Sequence, residues 1–242
     1  MLSFVVPAHN EELWIRKCLA SIRTTMESIG ESYEVIVVDD ASTDSTGHIA
    51  GEMGVRTLRV ERRNIAAVRN VGAQAAQGKI FFFVDADTQV NVAAVKAALS
   101  AVRAGCAGGG AVIELDGPVP LWARIVVFFA VIGGRIVRWT GGCFVFCTRQ
   151  TYAAIGGFNE KLYAGEDLAF VQAMKKVGRF VVIGPKVVTS GRKLAVVRPW
   201  QLISLLMIIA VRGPRYESEW VWDILYGQRA QDARKPRGAR EN

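Results

Sequence analysis

Short apolar runs alternate with amphipathic stretches through the first hundred residues. Residues 2–6, 34–38, 54–60 and 80–84 read as strands, and the runs at 2–6 and 80–84 have the near-continuous apolar character of strands buried on both faces. Between the first two, Ile15, Cys18, Leu19 and Ile22 recur at helical spacing. Asn10 is expected to cap that helix, with Glu11 and Glu12 in its first turn at the positive end of the dipole. Asp44 opens a second helix that runs to Met53. Residues 64–77 form a third, with Gly78 just past its end, and residues 92–103 a further one. Strand and helix in alternation predict an α/β, Rossmann-like architecture, a mostly parallel sheet flanked by helices.

The pattern changes after residue 105. Glycines 108–110 run into Ala111–Leu115, a strand that lets another backbone come close. Residues 142–148 and 180–183 read as strands and 167–177 as a helix. A long apolar stretch, 119–139, is interrupted by Arg124, Arg135 and Arg138, and a second, 200–211, is bounded by Arg198-Pro199 and Arg212-Gly213-Pro214. The second is too short to span a bilayer, and Arg124 argues against a span in the first. Two readings stay open for both: interfacial helices with basic edges in peripheral contact with a membrane, or surfaces that pack on the body or form a homodimer interface.

The 242 residues suit one domain with an elaborated end. The net charge of +8 draws such a chain to phosphates, nucleic acid or anionic membrane. Some of that charge sits in residues 229–242, where Arg229, Arg234, Lys235, Arg237 and Arg240 outweigh Asp232 and Glu241, and this reads as a mobile basic tail. A nucleic-acid binder needs Lys and Arg mixed with exposed aromatics on one face. Here the aromatics lie inside apolar strands, so no nucleic-acid partner is expected. Four cysteines without a C-x₂-C pair, and only two histidines, speak against a zinc site. With no signal-peptide pattern at the start, reduced thiols and a cytoplasmic setting are expected, peripheral to the inner face of a membrane if the apolar stretches touch lipid.

The strand at 80–84 ends in Asp85-Ala86-Asp87. Open α/β sheets bind ligands at the carboxyl ends of their strands. Two carboxylates there suit Mg²⁺ or Mn²⁺ on a phosphorylated substrate, since these ions prefer oxygen ligands. Further motifs are Pro7-Ala8-His9-Asn10-Glu11-Glu12, Asp39-Asp40-Ala41-Ser42-Thr43-Asp44, Arg69-Asn70-Val71-Gly72 and Gly165-Glu166-Asp167. Each is weak alone. In this order and at these offsets, over residues 2–185, they resemble the family 2 glycosyltransferases of the GT-A fold.

The resemblance implies a nucleoside-diphosphate sugar donor and a divalent cation, Mn²⁺ or Mg²⁺. It sets Pro7, Ala8, His9, Asn10 and Glu11 against the nucleoside, His9 standing where relatives often carry Tyr, and gives the base to Asp39 or Asp40. Turn formation and capping by Asp40, Ser42 and Asp44 is the structural alternative for that loop. Asp85, with Ala86 beside it, falls to the ribose or the metal, and Asp87 to the metal. Gln89 completes Asp-Ala-Asp-Thr-Gln, similar to the polyprenyl- and dolichyl-phosphate mannosyltransferase branch, where it joins the metal shell; a surface Gln is the alternative. Asp167 takes the place of the catalytic base, with Glu166 on the donor side, and both also suit a plain helix start. Arg69 pairs either with donor phosphates or with Asp85 or Asp39. Arg192, in the basic segment 190–193, either closes over the diphosphate or is solvated.

Residues 62–68 lack the glycines many relatives place before Arg-Asn. Arg198-Pro199-Trp200 is not the Gln-x-x-Arg-Trp of processive synthases, which favours transfer of a single sugar. The expected reaction is inverting, metal-assisted transfer to an acceptor hydroxyl on a glycan or small molecule. The alternative is transfer to a polyprenyl phosphate at the membrane surface. A nucleotidyltransferase would open with a Gly-rich basic loop, and residues 7–12 contain neither Gly nor Lys. The expected organisation is a catalytic domain over 1–190, binding nucleotide with residues 1–104 and acceptor with residues 105–190. A helical extension over 191–228 and the tail follow it.

Overall fold

The computed structural model describes residues 1–117, 119–136, 140–162 and 165–192. The apolar stretch 200–211 and the tail 229–242 lie outside the described residues. The chain order is β1 (Leu2–Ala8), α1 (Ile15–Ile29), β2 (Tyr33–Asp40), α2 (Thr46–Glu52), β3 (Arg56–Val60), α3 (Ile65–Ala75), β4 (Ile80–Val84), β5 (Thr88–Gln89), α4 (Val92–Arg103), β6 (Gly108–Asp116), α5 (Leu121–Ile136), β7 (Phe144–Thr148), α6 (Arg149–Ile155), α7 (Glu166–Val177) and β8 (Phe180–Ser190). One sheet runs β3-β2-β1-β4-β7-β6-β8-β5. Its first four strands are parallel, so the carboxyl ends of β2, β1 and β4 share one edge. β7 runs antiparallel between β4 and β6 and joins the two halves of the sheet.

Two-residue alternation decides what each face buries. Phe4, Val37, Phe82 and Val84 lie with Ile15, Leu19, Ile22, Val95 and Leu99 of α1 and α4. Val5, Ile36, Phe81 and Phe83 lie on the other face with Val68 of α3 and Phe170, Val171 and Met174 of α7. Gly72 sets the approach of α3: a Cβ there would stand 2.3 Å from Val5 Cγ1 and 3.0 Å from Val38 Cγ2. The glycine of Arg69-Asn70-Val71-Gly72 thus lowers the motif's other residues onto the sheet.

Several expectations need correction. Asn10 does not cap α1. Its backbone is left-handed (φ 55°), and α1 begins at Ile15 with no acidic residue in its first turn. α3 is shorter than expected, with Asn64 capping it by accepting from Ala67 N at 3.0 Å. Gly78 is no helix terminator there; a Cβ on it would lie 2.8 Å from the backbone of Leu2 and Ser3. β3 starts two residues later than expected, at Arg56. β8 continues to Ser190 because the register with β6 jumps from Ala111–Ile183 to Val112–Lys186, leaving Gly184-Pro185 as a bulge in a strand that carries on. β5 and α6 had no counterpart in the pattern of the sequence. Thr148 accepts from Thr151 N to start α6, and Gly156, left-handed, ends it.

Candidate active site

The loops that follow β1 and β2 are stitched together. Asn10 N donates to Ser42 Oγ at 3.0 Å, and Asn10 Oδ1 accepts from Thr43 N at 2.8 Å. Glu11 N donates to Thr46 Oγ1 and Glu12 N to Asp44 Oδ2. His9 Nδ1 lies 2.5 Å from the Asp40 carbonyl, to which it donates. Asp39 is buried and accepts from Ser42 N at 3.0 Å, and Asp40 Oδ1 accepts from Arg62 N at 2.6 Å. Asp44 Oδ1 accepts from Thr46 N, but Asp44 is not the cap expected of it: Ser45 stands at the N-cap of α2, without a side-chain cap bond. Both base-contact candidates therefore help to build the loop they stand in.

Arg69, buried on α3, bridges two motifs. Its Nη2 donates to Asp85 Oδ1 at 2.9 Å and to the Gly142 carbonyl at 3.3 Å, and its Nη1 donates to Glu166 Oε1 at 2.9 Å. The ion pair to Asp85 expected as one reading of Arg69 is present. Its neighbour Asn70 clamps the following segment: Nδ2 donates to the Phe158 carbonyl and to Glu160 Oε1, while Oδ1 accepts from Phe158 N and the Tyr152 hydroxyl. No local pattern in the sequence marks Tyr152 as a partner of Asn70. Removing one partner of a buried ion pair typically costs about 3–5 kcal/mol, so Arg69 is both a structural and an electrostatic hinge of the site.

Across this bridge stands Asp167. Its Oδ1 accepts from Leu168 N at 2.7 Å, and a Cβ on Gly142 would come within 2.8 Å of its carboxylate. Glu166 and Asp167 do open α7, as the structural alternative held, but Glu166 is also buried against Arg69. Burial, then the charge of Asp167, raises Glu166 from 4.5 to about 7 against the pull of Arg69. Burial likewise pushes the Asp167 carboxyl up, opposed by Arg69 and two backbone N–H groups. Between 4.5 and about 7 the folded state then holds more protons than the unfolded chain, so this pair makes stability fall as pH rises through that window. Glu166→Gln is expected to flatten that fall, measured by urea denaturation at either end of the window; an unchanged pH slope would count against the assignment.

The second acid of the strand-end pair, Asp87, is also buried. Thr189 Oγ1 lies 3.4 Å from its Oδ1, and Arg192 Nη2 lies 3.2 Å from its Oδ2. The same guanidinium donates to Glu11 Oε1 at 2.6 Å and to Oε2, and sits 5.6 Å from the Trp14 ring centre. Arg192 is thus not simply solvated: it closes an acidic group made by the ends of β1 and β4. Cys18, beneath this group, has its thiol pushed up by burial and then by Asp87, Asp85 and Glu11. Gln89 pairs with Val188 across β5 and β8, on the strand after the two acids. Ala86 is buried between them, and Lys193 lies outside the described residues. Trp14 and Thr189 were not anticipated. All four cysteines are free.

Among the described residues, no three His, Cys, Asp or Glu side chains form a ready-made metal cage. The donor chemistry nevertheless fits a hard divalent ion: Asp85 and Asp87 offer carboxylate oxygens, and Asp87 already holds the cationic Arg192. Such an ion needs only one or two protein carboxylates when substrate phosphates complete its shell.

Residues 3–149 match the family model described as glycosyl transferase family 2. The chain belongs to this family. The putative glycosyltransferase EpsH of Bacillus subtilis (strain 168) is 37% identical over 96 residues, 37% of this chain and 27% of that protein. Glycosyltransferase GlyA of Streptococcus pneumoniae serotype 4 is 40% identical over 96 residues, 37% of this chain and 13% of that one. The chain thus spans less than a third of the curated relatives it matches. Among solved structures, residues 1–349 of S. aureus TarS in complex with UDP-GlcNAc superpose with a TM-score of 0.60 at 22% identity, covering 93% of this chain and 70% of that one. The mannosyltransferase PcManGT of Pyrobaculum calidifontis, in complex with GDP-Man and Mn²⁺, gives 0.61 at 19% identity, over 94% of this chain and 68% of that one. The fold is GT-A, as the family motifs implied. Four of those motifs stand at the ends of β1, β2 and β4 and the start of α7, and Arg69-Asn70-Val71-Gly72 lies within α3.

Proposed function

We propose that this family 2 chain transfers a single sugar from a nucleoside-diphosphate sugar to an acceptor hydroxyl, with inversion and with a divalent cation on the diphosphate. The observation that carries this reading is the Arg69 bridge, which joins Asp85 of the strand-end pair to Glu166 and so brings Asp167 to the same place. The nucleoside lies against residues 7–11, and Asp39 or Asp40 contacts the base. Asp87 and Asp85, with Gln89 beside them, would hold Mn²⁺ or Mg²⁺; when bound, the ion neutralises charge that develops on the leaving diphosphate. Asp167 takes the proton of the acceptor hydroxyl. The freed oxygen forms its bond to the anomeric carbon as the carbon–oxygen bond to the diphosphate breaks, and that electron pair leaves with the nucleoside diphosphate. The raised proton affinity of Asp167 suits this task. Arg192 exchanges its carboxylate partners for the diphosphate and adds charge where it accumulates.

A second reading, transfer to a polyprenyl phosphate, is favoured by Gln89 in Asp-Ala-Asp-Thr-Gln. An acceptor that is already an ionised phosphate needs no strong base. A thermal-shift screen of UDP-, GDP- and dTDP-sugars with Mn²⁺ or Mg²⁺ tests the donor assignment. One base class is expected to raise the melting temperature in a metal-dependent way, because a donor at a hundred times its Kd adds about 2.7 kcal/mol. No shift with any donor would remove the basis for the reading.

A further inference from the structure

Of the seven exposed large apolar side chains among the described residues, four lie on α5: Leu121, Ile125, Phe128 and Phe129, between 49% and 74% exposed. At about 100° per residue they fall, with exposed Arg124, within one face roughly 140° wide. Ala123 on the opposite face is fully buried and fixes the helix to the body. Apolar side chains gathered on one helix face mark a contact surface, whereas scattered ones do not. The start of α5 adjoins the acidic group. Gly191 N donates to the Asp116 carbonyl at 2.9 Å, a Cβ on Gly191 would meet Val119 Cγ2 at 2.2 Å, and the next residue is Arg192.

We propose that this face of α5 docks the protein on an anionic lipid surface, Phe128 and Phe129 entering the headgroup boundary and Arg124 pairing with lipid phosphate. Charge selects the occupant. Residues 119–139 carry Arg124, Arg135 and Arg138 and no Asp or Glu. A second copy on a two-fold axis would set this basic face against itself. The chain's own apolar stretch 200–211 is likewise bounded by Arg198 and Arg212, so covering α5 with it would bring cation to cation; Glu217, Glu219 and Asp223 beyond it make that later segment the rival occupant, which the melting-temperature reading below scores. An anionic bilayer meets both the charge and the apolar face, and attraction of basic residues to such a surface adds to the burial of the rings. No described helix is long and apolar enough to cross a membrane. The proposal does not require a lipid acceptor.

The test is co-sedimentation of the full chain with phosphatidylcholine vesicles, with and without phosphatidylglycerol, with the donor-induced thermal shift read on the same preparations. Binding is expected only with the anionic lipid. The double change Phe128→Ser, Phe129→Ser is expected to weaken it at least roughly tenfold, and Arg124→Glu to reduce the preference for phosphatidylglycerol, with the donor shift unchanged in both. Absence of vesicle binding overturns the proposal. So does binding that the Phe changes leave intact, since charge elsewhere then carries it. A dimer in solution that Phe128→Ser dissolves would show a second copy as the occupant. A fall in melting temperature on Phe128→Ser without lipid would show that the chain itself covers the face. Donor binding is scored separately, so failure here and failure of the glycosyltransferase reading are told apart.

Discussion

Asp87→Ala is expected to lower metal-dependent sugar transfer by about 10³-fold, the loss seen when one preorganised charge-stabilising group is removed from a reaction centre. The acid is buried, and its neighbours Thr189 and Arg192 fix where its oxygens point. On the proposed reading the variant loses a hard oxygen ligand for the ion, and it also frees Arg192 from one partner. Two measurements separate these effects. Mn²⁺ binding followed by electron paramagnetic resonance is expected to weaken in Asp87→Ala, while the far-UV circular dichroism stays that of the parent. Transfer at the parental rate by purified Asp87→Ala would dismiss the metal assignment.

Asp167→Asn is expected to reduce kcat with a hydroxyl acceptor by about 10²–10⁴-fold, the usual share of a positioned proton acceptor. Asparagine keeps the shape and retains an oxygen for Leu168 N, so the start of α7 survives. Donor affinity is therefore expected to stay near normal, and kcat rather than the donor Kd carries the loss. Equal loss of donor binding and turnover would reassign Asp167 to a structural role. The variant also discriminates between acceptor classes: with a polyprenyl phosphate the loss shrinks, because no hydroxyl proton has to be taken.

Elements with a strong local signature were legible in the sequence. The strand at β4 and the helix α4 have the residues expected of them, because five apolar residues in a row and an Asn91 cap leave little competition. The misses have a common physical origin. Asn10 reads as a cap, yet Glu11 turns inward to Arg192, 181 positions away, and the helix waits until Ile15. Gly184-Pro185 reads as a strand breaker, yet pairing with β6 carries β8 across it as a bulge. The same holds for the site. Motif order pointed to Asp85, Asp87, Glu166 and Asp167, but not to the exchange of partners among them. The Arg69–Asp85 pair was one of the readings open to Arg69, but that Arg69 would also take Glu166, and Arg192 would take Glu11 and Asp87, follows from how distant elements pack together, which no local pattern encodes.

Arg69 also bears on how the chain folds. Its two carboxylate partners lie 16 and 97 positions further along the sequence, and its side chain is 2% exposed. A chain that had emerged only as far as α4 would have to bury this guanidinium without Glu166, next to a β4 edge that β7 had not yet covered. Burying the guanidinium with only Asp85 of its two carboxylate partners is costly, so the first half is expected to gain its final packing only when α7 arrives. The charge that joins the motifs thereby links completion of the parallel half of the sheet to the arrival of α7, and the two halves are expected to unfold as one cooperative unit.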